Sequence, residues 1–165
     1  MPQITIEYMI MIPILILQIF LFPLTAGLIM NGWADSRRTL ALQETAGHLG
    51  SSIQQLYSAL NHESISAGNV TNRLEVPPFI EGYVYTGNAT LRTALDPALN
   101  SSKILDITLR LMGGRVETSA SVTLGQNVEW QYSTFMSNST YASIKAEKYW
   151  NGTQPVIRLS FGGAE

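Results

Sequence analysis

Residues 8–34 contain no charged side chain, and this apolar segment constrains the chain more than any other feature. At a rise of about 1.5 Å per residue it forms a helix of roughly 40 Å, longer than the ~30 Å hydrocarbon core of a membrane. Only Gln18, Thr25 and Asn31 interrupt its apolar character, so no face of the helix is polar. Such a helix must lie in lipid or be surrounded by protein.

The segment does not have the layout of a cleaved secretory leader. No Lys or Arg precedes it, and it is longer than the 7–15 residues of a signal-peptide core. We therefore expect a transmembrane helix that the chain retains.

Two prolines, Pro13 and Pro23, stand inside the apolar segment. Each lacks an amide donor and so frees the carbonyl four residues earlier, that of Met9 or Ile19. We expect kinks at both prolines. In hydrocarbon the freed carbonyls need partners, which neighbouring helices or water can supply.

After the apolar segment the pattern becomes amphipathic. Spacings of three and four residues indicate a helix with one apolar stripe, and we predict a single helix over residues 4–60. Gly47 and Gly50 weaken it by roughly 1 kcal/mol each relative to Ala. The stripe is predicted to cover a β-sheet, with a partner helix as the alternative. It consists of Leu42, Ala46, Leu49, Ile53, Leu56 and Leu60.

From residue 70 the apolar period is two, which indicates strands joined by short turns. The predicted fold class is α+β: a long N-terminal hydrophobic α-helix, then an antiparallel β-rich head, built as an immunoglobulin-like sandwich or a curled sheet. The predicted domains are a helix over residues 1–62 (apolar over 8–34, amphipathic over 35–60) and an extracellular β-rich domain over residues 63–165.

About seven strands are expected. Residues 72–76 and 79–86 flank Pro77-Pro78, and residues 91–99 are predicted to form a helical turn or loop. Alternating strands follow over residues 105–111 and 116–124, with a hairpin turn at Gly113-Gly114. Residues 128–136 are predicted as one strand with Val128, Trp130, Tyr132, Thr134 and Met136 on one face. Strands over 141–150 and 156–161 enclose an Asn151-Gly152 turn.

Several function classes find no support in the residues. The net charge of −2 offers no basic face for nucleic acid. With no Cys, and with His48 and His62 outside metal-ligand spacing, we expect no metal site, cofactor or catalytic residue, hence no enzyme. The aromatic residues of the head are interpreted as core and sheet-surface side chains, with an exposed adhesive patch as the alternative. They are Trp130, Tyr132, Tyr141, Tyr149 and Trp150.

Asn-X-Ser/Thr sequons all lie beyond the predicted helix. They are expected in loops or turns, where N-linked glycans would cover a surface outside the cell. Arg37 and Arg38 oppose this orientation, since positive residues tend to stay in the cytoplasm. We give the sequons more weight because they are spread over several positions. They begin at Asn69, Asn88, Asn100, Asn138 and Asn151.

The start of the chain reads Gln3-Ile-Thr-Ile-Glu7-Tyr8 and leads into the apolar segment. It resembles the mature start of archaeal class III signal-peptide proteins, the type IV pilin-like family, with Thr5 in place of the usual Ser. Residues 7–17 also look like the start of TadE-like minor pilins. Residues 76–85 are similar to a stretch in archaeal pilin-like heads.

This resemblance implies a pilin, the structural subunit of an extracellular adhesive filament. Its helix would sit in the membrane before assembly and in a bundle of identical helices afterwards, with the pilus assembly machinery as a further partner. Glu7 would meet a neighbour's N-terminal amine. Gln3, Pro13 and Pro23 would be the other assembly residues.

The family has a short charged leader, ending in Lys-Gly or Arg-Gly, that a prepilin-type peptidase cuts off just before the Gln. Here Met1-Pro2 precede Gln3. A missing leader, a misassigned start and a different processing route remain alternatives. A permanently membrane-anchored ectodomain, or a minor pilin that acts as a binding module, is the alternative function.

Overall fold

The computed structural model describes residues 3–94, 102–152 and 154–163, with side chains from residue 8 onward. The chain divides into two compact units, Met1–Arg37 and Arg38–Glu165. The described residues of the first, from Gln3 onward, are all helical. The second, which we call the head, combines the rest of that helix with two β-sheets.

Helix α1 spans Gln3–Leu60 and confirms the predicted helix over residues 4–60. Pro13 and Pro23 both lie inside it. After Leu60 the helix closes with a backbone bond of 2.8 Å from the Asn61 amide to the Tyr57 carbonyl. From Arg38 onward α1 belongs to the head, whereas the apolar segment belongs to the other unit.

The described part of the head contains eight strands in two four-stranded sheets, ordered β1-β7-β8-β5 and β4-β3-β2-β6. The rings of Phe135 and Phe161, one from each sheet, meet edge to face at 4.8 Å. The predicted α+β fold class is therefore confirmed, with the β-rich part built from two sheets around one core. The strands are β1 (Gly68–Arg73), β2 (Tyr85–Thr93), β3 (Lys103–Leu111), β4 (Glu117–Leu124), β5 (Val128–Trp130), β6 (Thr134–Met136), β7 (Ser143–Asn151) and β8 (Gln154–Gly162).

Two antiparallel hairpins follow the predicted pattern. Strands β3 and β4 pair across a turn in which Gly113 has φ of 82°. Strands β7 and β8 pair across the Asn151-Gly152 turn, where Gly152 has φ of 70°. Glycine adopts this left-handed conformation without the steric cost that a side chain brings.

The strands predicted around Pro77-Pro78 are shifted in the structure. β1 ends at Arg73, and residues 80–83 form a tight turn closed by two backbone bonds of 2.9 Å between Ile80 and Tyr83. Proline has no amide to give a sheet, and the turn takes left-handed φ values of 49° at Glu81 and 83° at Gly82, so the paired strand starts only at Tyr85. Tyr85 donates its hydroxyl to the Pro77 carbonyl at 2.7 Å. Burial raises the pKa of Tyr85, which keeps this donor protonated.

The predicted helical turn or loop over residues 91–99 is wrong at its start. β2 continues to Thr93 because Leu91 still pairs with Leu105 of β3. Residues 95–101 lie outside the described ranges.

The predicted single strand over residues 128–136 is also wrong. β5 pairs with β8 in parallel, whereas β6 pairs antiparallel with β2 in the other sheet. The chain crosses between the sheets at residues 131–133, so the alternation fails there. At the crossing Ser133 donates to the Gln131 carbonyl and accepts from the Phe161 amide, at 2.9 and 2.8 Å, which satisfies backbone groups where the ladder breaks.

The apolar stripe of α1 packs in the core of the head, as predicted for a stripe that covers a sheet: five of its six residues are buried and Leu56 is partly buried. Burial of a Leu or Ile side chain stabilises a fold by roughly 1.5–3 kcal/mol. Polar bonds fix the end of the helix: Tyr57 donates to Asn127 at 2.8 Å, and Lys148 donates to the His62 carbonyl at 3.0 Å.

The two helical glycines of the head differ in their surroundings, which yields a matched test of the packing. A Cβ on Gly50 would lie 2.6 Å from Cγ2 of Val122, a stiff branched side chain, whereas a Cβ on Gly47 meets nothing within 4 Å. We expect Gly50→Ala to lower the free energy of unfolding by about 1–3 kcal/mol through overpacking. Gly47→Ala should raise it by up to about 1 kcal/mol through helix propensity. Denaturant unfolding of the head in detergent, followed by tryptophan fluorescence, measures both. Equal shifts for the two variants would contradict the packing of α1 on β4.

Candidate assembly surface

The apolar segment exposes its large side chains on all sides of the helix. Met9, Phe22 and Trp33 are each about three-quarters exposed. Its most apolar stretch has a mean hydropathy of 2.3, and none of that stretch is buried. Among the described residues, α1 is the helix long and apolar enough to cross a membrane by length and composition. The segment is therefore compatible with membrane insertion, and its surface has to be covered by lipid or by protein.

The region around Pro23 concentrates backbone groups that need partners. The proline withholds an amide from the Ile19 carbonyl. The Thr25 hydroxyl lies 3.0 Å from the Leu21 carbonyl and 2.9 Å from the Phe22 carbonyl. Two backbone acceptors just before the proline are thus linked to a side chain of the same helix, but neither is the Ile19 carbonyl, which the proline leaves without its usual amide donor.

Gln18 lies seven residues before Thr25, so both side chains share one face of the helix. Both line a groove beside Pro23, together with Ile19 and Phe22. The Gln18 carboxamide makes no hydrogen bond to a residue that the structure describes. In an apolar medium an amide without a partner is costly, so this face favours contact with another polar group over contact with lipid.

Two of the predicted assembly residues are placed only in part. The backbone of Gln3 and Glu7 belongs to α1. Their side chains lie outside those that the structure describes, so the proposed pairing of Glu7 remains a prediction. Pro13 and Pro23 are placed inside the helix as expected.

One of the two basic residues after the apolar segment is engaged within the head. Arg38 forms an ion pair of 3.0 Å with Glu81, and its guanidinium stacks over the Tyr83 ring at 4.8 Å. A cation held between a carboxylate and an aromatic face is partly neutralised. This contact weakens the argument that the positive charge retains residues 37 and 38 in the cytoplasm. The sequence alone could not indicate it, because Glu81 is more than forty positions away.

The sequons occupy three kinds of position. Asn138 lies in a turn and Asn151 ends β7, both exposed. Asn69 is exposed on β1, at the edge of its sheet. Asn88 is half-buried on β2, paired with Thr108 on one side and with β6 on the other. The expectation of loops or turns is therefore wrong for Asn69 and Asn88. Asn100 lies outside the described residues.

The two histidines make no described contact that indicates a catalytic or metal-binding role. His48 is exposed on α1, and the His62 ring bonds to the Ser64 hydroxyl at 2.8 Å. Over the described ranges, no group of three His, Asp or Glu side chains could hold a metal ion.

No protein-family model, no curated protein and no solved structure matched this chain in the three comparisons made. The candidate surface therefore rests on the chain's own residues.

The placement of the sequons predicts which of them carry glycans. An attached glycan needs an accessible side chain, and Asn69, Asn138 and Asn151 are exposed. We expect glycopeptide mass spectrometry of the native protein to find glycans at these three positions and none at Asn88. Asn138→Gln should remove the mass of one glycan, and the control Asn88→Gln should remove none. Equal occupancy at Asn88 and Asn138 would contradict modification of the folded head.

Proposed function

We propose that this chain is the structural subunit of an extracellular type IV pilus-like filament that polymerises through its apolar segment and serves in adhesion. The observation that carries the proposal is the exposed apolar segment, joined in one helix to a stripe that the head buries. An ordinary head domain needs no such extension. A filament subunit needs one surface that its own fold leaves uncovered and that other copies can cover.

In this proposal the apolar segment serves in two environments. Before assembly it lies in the membrane, where lipid covers it. In the filament, identical helices from other copies replace the lipid. Because lipid tails are about as apolar as leucine, this exchange gains little from the hydrophobic effect. The transfer of the helix from the membrane to the filament must therefore be driven by side-chain packing, by polar pairing and by the pilus assembly machinery.

Glu7 provides the polar pairing. Its carboxylate stands next to the apolar segment, and in a helix bundle it would be removed from water. A buried carboxylate without a partner is strongly unfavourable, whereas one that meets an amine is compensated. An N-terminal amine on a neighbouring copy, which the family resemblance implies, meets this need and would also fix the stagger between subunits.

The sequons support an extracellular head. Glycans at exposed positions of the second unit hydrate and shield a surface that faces the medium. The engagement of Arg38 by Glu81 supports the same orientation, since it partly neutralises one of the two positive charges that oppose it.

A permanently membrane-anchored single-pass ectodomain, or a minor pilin that acts as a binding module, is the second candidate. The observation that favours it is the length of the apolar segment, which suffices to span a membrane as a single helix. Here lipid would cover the segment throughout the life of the protein.

Mechanical shearing of whole cells separates the two candidates. A filament subunit should be released in a high-molecular-weight form without detergent, and negative-stain microscopy of that fraction should show fibres. Protein that remains with the membranes and is extracted by detergent as a monomer would rule out the filament. N-terminal mass spectrometry of the released chain adds the processing site, where a first residue at Gln3 indicates prepilin-type cleavage.

Substitution of Glu7 tests the polar pairing. We expect Glu7→Ala to reduce the yield of sheared filaments by at least about tenfold, because the partner amine would be left unpaired in the apolar core. Glu63→Ala, an exposed carboxylate just after α1, is the matched control and should leave the yield unchanged. Circular dichroism should show the same head in both variants. A wild-type yield from Glu7→Ala would remove the proposed role of this carboxylate.

A further inference from the structure

The head contains an open cleft of about 800 Å³ whose described lining residues all belong to the head. Three parts of the chain meet there: the crossing at residues 131–133, the loop between β6 and β7, and the end of β8. Tyr132 and Tyr141 line the cleft and are 76% and 80% exposed, the most exposed aromatic side chains of the head. Large aromatic rings in soluble domains are usually much more buried, so this pair calls for an explanation.

Close backbone contacts shape one wall of the cleft. A Cβ on Gly162 would lie 2.5 Å from the Ser143 hydroxyl, and one on Gly163 would lie 2.6 Å from the Tyr141 carbonyl. Gly163 also has φ of 107°, a conformation that side chains rarely adopt. The two glycines therefore allow the end of β8 to approach the loop that carries Tyr141. The Ser139 hydroxyl reinforces this contact by donating to the Gly163 carbonyl at 3.2 Å.

Several polar groups converge on the cleft without a partner in the fold. The side-chain oxygens of Tyr132, Thr134, Tyr141 and Ser143 and the Lys145 ammonium make no hydrogen bond or ion pair to a residue that the structure describes. They offer donors and acceptors beside two aromatic faces, and Lys145 is the one charged group among the described lining residues. A few convergent polar groups next to apolar surface are typical of a ligand site.

The ligand can be inferred from this combination of groups. Aromatic faces stack on flat apolar surfaces, while phenols and hydroxyls exchange hydrogen bonds with a ligand rich in hydroxyl groups. A sugar ring has both properties, with C–H groups on its face and hydroxyls at its edge. The single ammonium, with no carboxylate among the described lining residues, favours a sugar that carries a negative charge. We propose that the cleft between Tyr132 and Tyr141 binds an acidic saccharide, with the two rings stacking on sugar faces and Lys145 pairing with the sugar carboxylate.

This site would account for the adhesive part of the proposed function. It rests on that function only in requiring that the head lie outside the cell. Binding itself is a property of the folded head, whether the chain assembles or stays anchored. It can be measured on the purified full chain, so its failure is distinguishable from a failure of the shearing experiment.

The test is isothermal titration calorimetry of the full chain, made without glycosylation and held in a zwitterionic detergent that contains no sugar. The probes are trigalacturonic acid and its methyl ester, which differ in charge but share the sugar faces. We expect the acid to bind at least about tenfold more tightly than the ester. Tyr132→Ala and Tyr141→Ala should each lower the affinity for both probes by about tenfold or more. Lys145→Gln should reduce the affinity for the acid to that for the ester and leave the ester unchanged.

Two exposed residues outside the cleft provide matched controls, Phe79→Ala for loss of an aromatic ring and Arg115→Gln for loss of a charge. Both should bind the acid as the wild type does. The proposal is overturned if neither probe binds or if both tyrosine variants bind the probes as tightly as the wild type. It is also overturned if Arg115→Gln lowers the affinity for the acid as much as Lys145→Gln does. Denaturant midpoints within error of the wild type confirm that each variant is folded. If Tyr141→Ala fails to fold, Tyr141→Leu and Tyr132→Ala carry the same test.

Discussion

The uncovered surface of the apolar segment is the constraint on which the behaviour of this chain depends. Side chains such as Met9 and Phe22 have no cover within the described fold, and each would gain roughly 1.5–3 kcal/mol from burial. Over a helix of this length the total far exceeds the 5–15 kcal/mol that holds a typical domain together. The chain therefore cannot persist in water as a dispersed monomer. Residues 8–34 must be covered by lipid or by protein.

In the head, by contrast, the apolar side chains of the same helix are covered by the fold itself. There the apolar side chains form one stripe, and two sheets close over it. Gly50 lets β4 approach α1, and the Tyr57–Asn127 and Lys148–His62 bonds hold the end of the helix in place. Stability of the head thus depends on contacts that do not involve the apolar segment. A head that folds independently of its environment could remain intact while the segment changes from lipid to protein, which is what filament assembly requires.

The sequence predicts those parts of the fold that repeat regularly along the chain. The helix follows from unbroken apolarity and then from three- and four-residue spacings, and the β3–β4 and β7–β8 hairpins follow from alternation and Gly-containing turns. The alternation of polar and apolar residues predicted one strand over residues 128–136, which is wrong. The alternation continues in the sequence although the chain moves from one sheet to the other near Ser133. The prediction also failed near residue 91, where pairing with Leu105 extends β2 beyond the point that local composition suggested. In both places the strand boundaries depend on pairing with residues that are distant in the sequence.

The same reasoning explains which functional residues the sequence could indicate. Gln3, Glu7 and the prolines are local features of one helix, so a short motif is enough to propose them. The cleft joins residues 131–134, 139–145 and 161–163, and its tyrosines appear in the sequence as ordinary strand residues. Its polar groups are distinctive only once the sheet crossing brings them together, several of them without a hydrogen bond to any described residue. The exposed Asn138 sequon precedes the lining residue Ser139 in the same loop, a proximity that the sequence shows but that gains meaning only once the cleft is known.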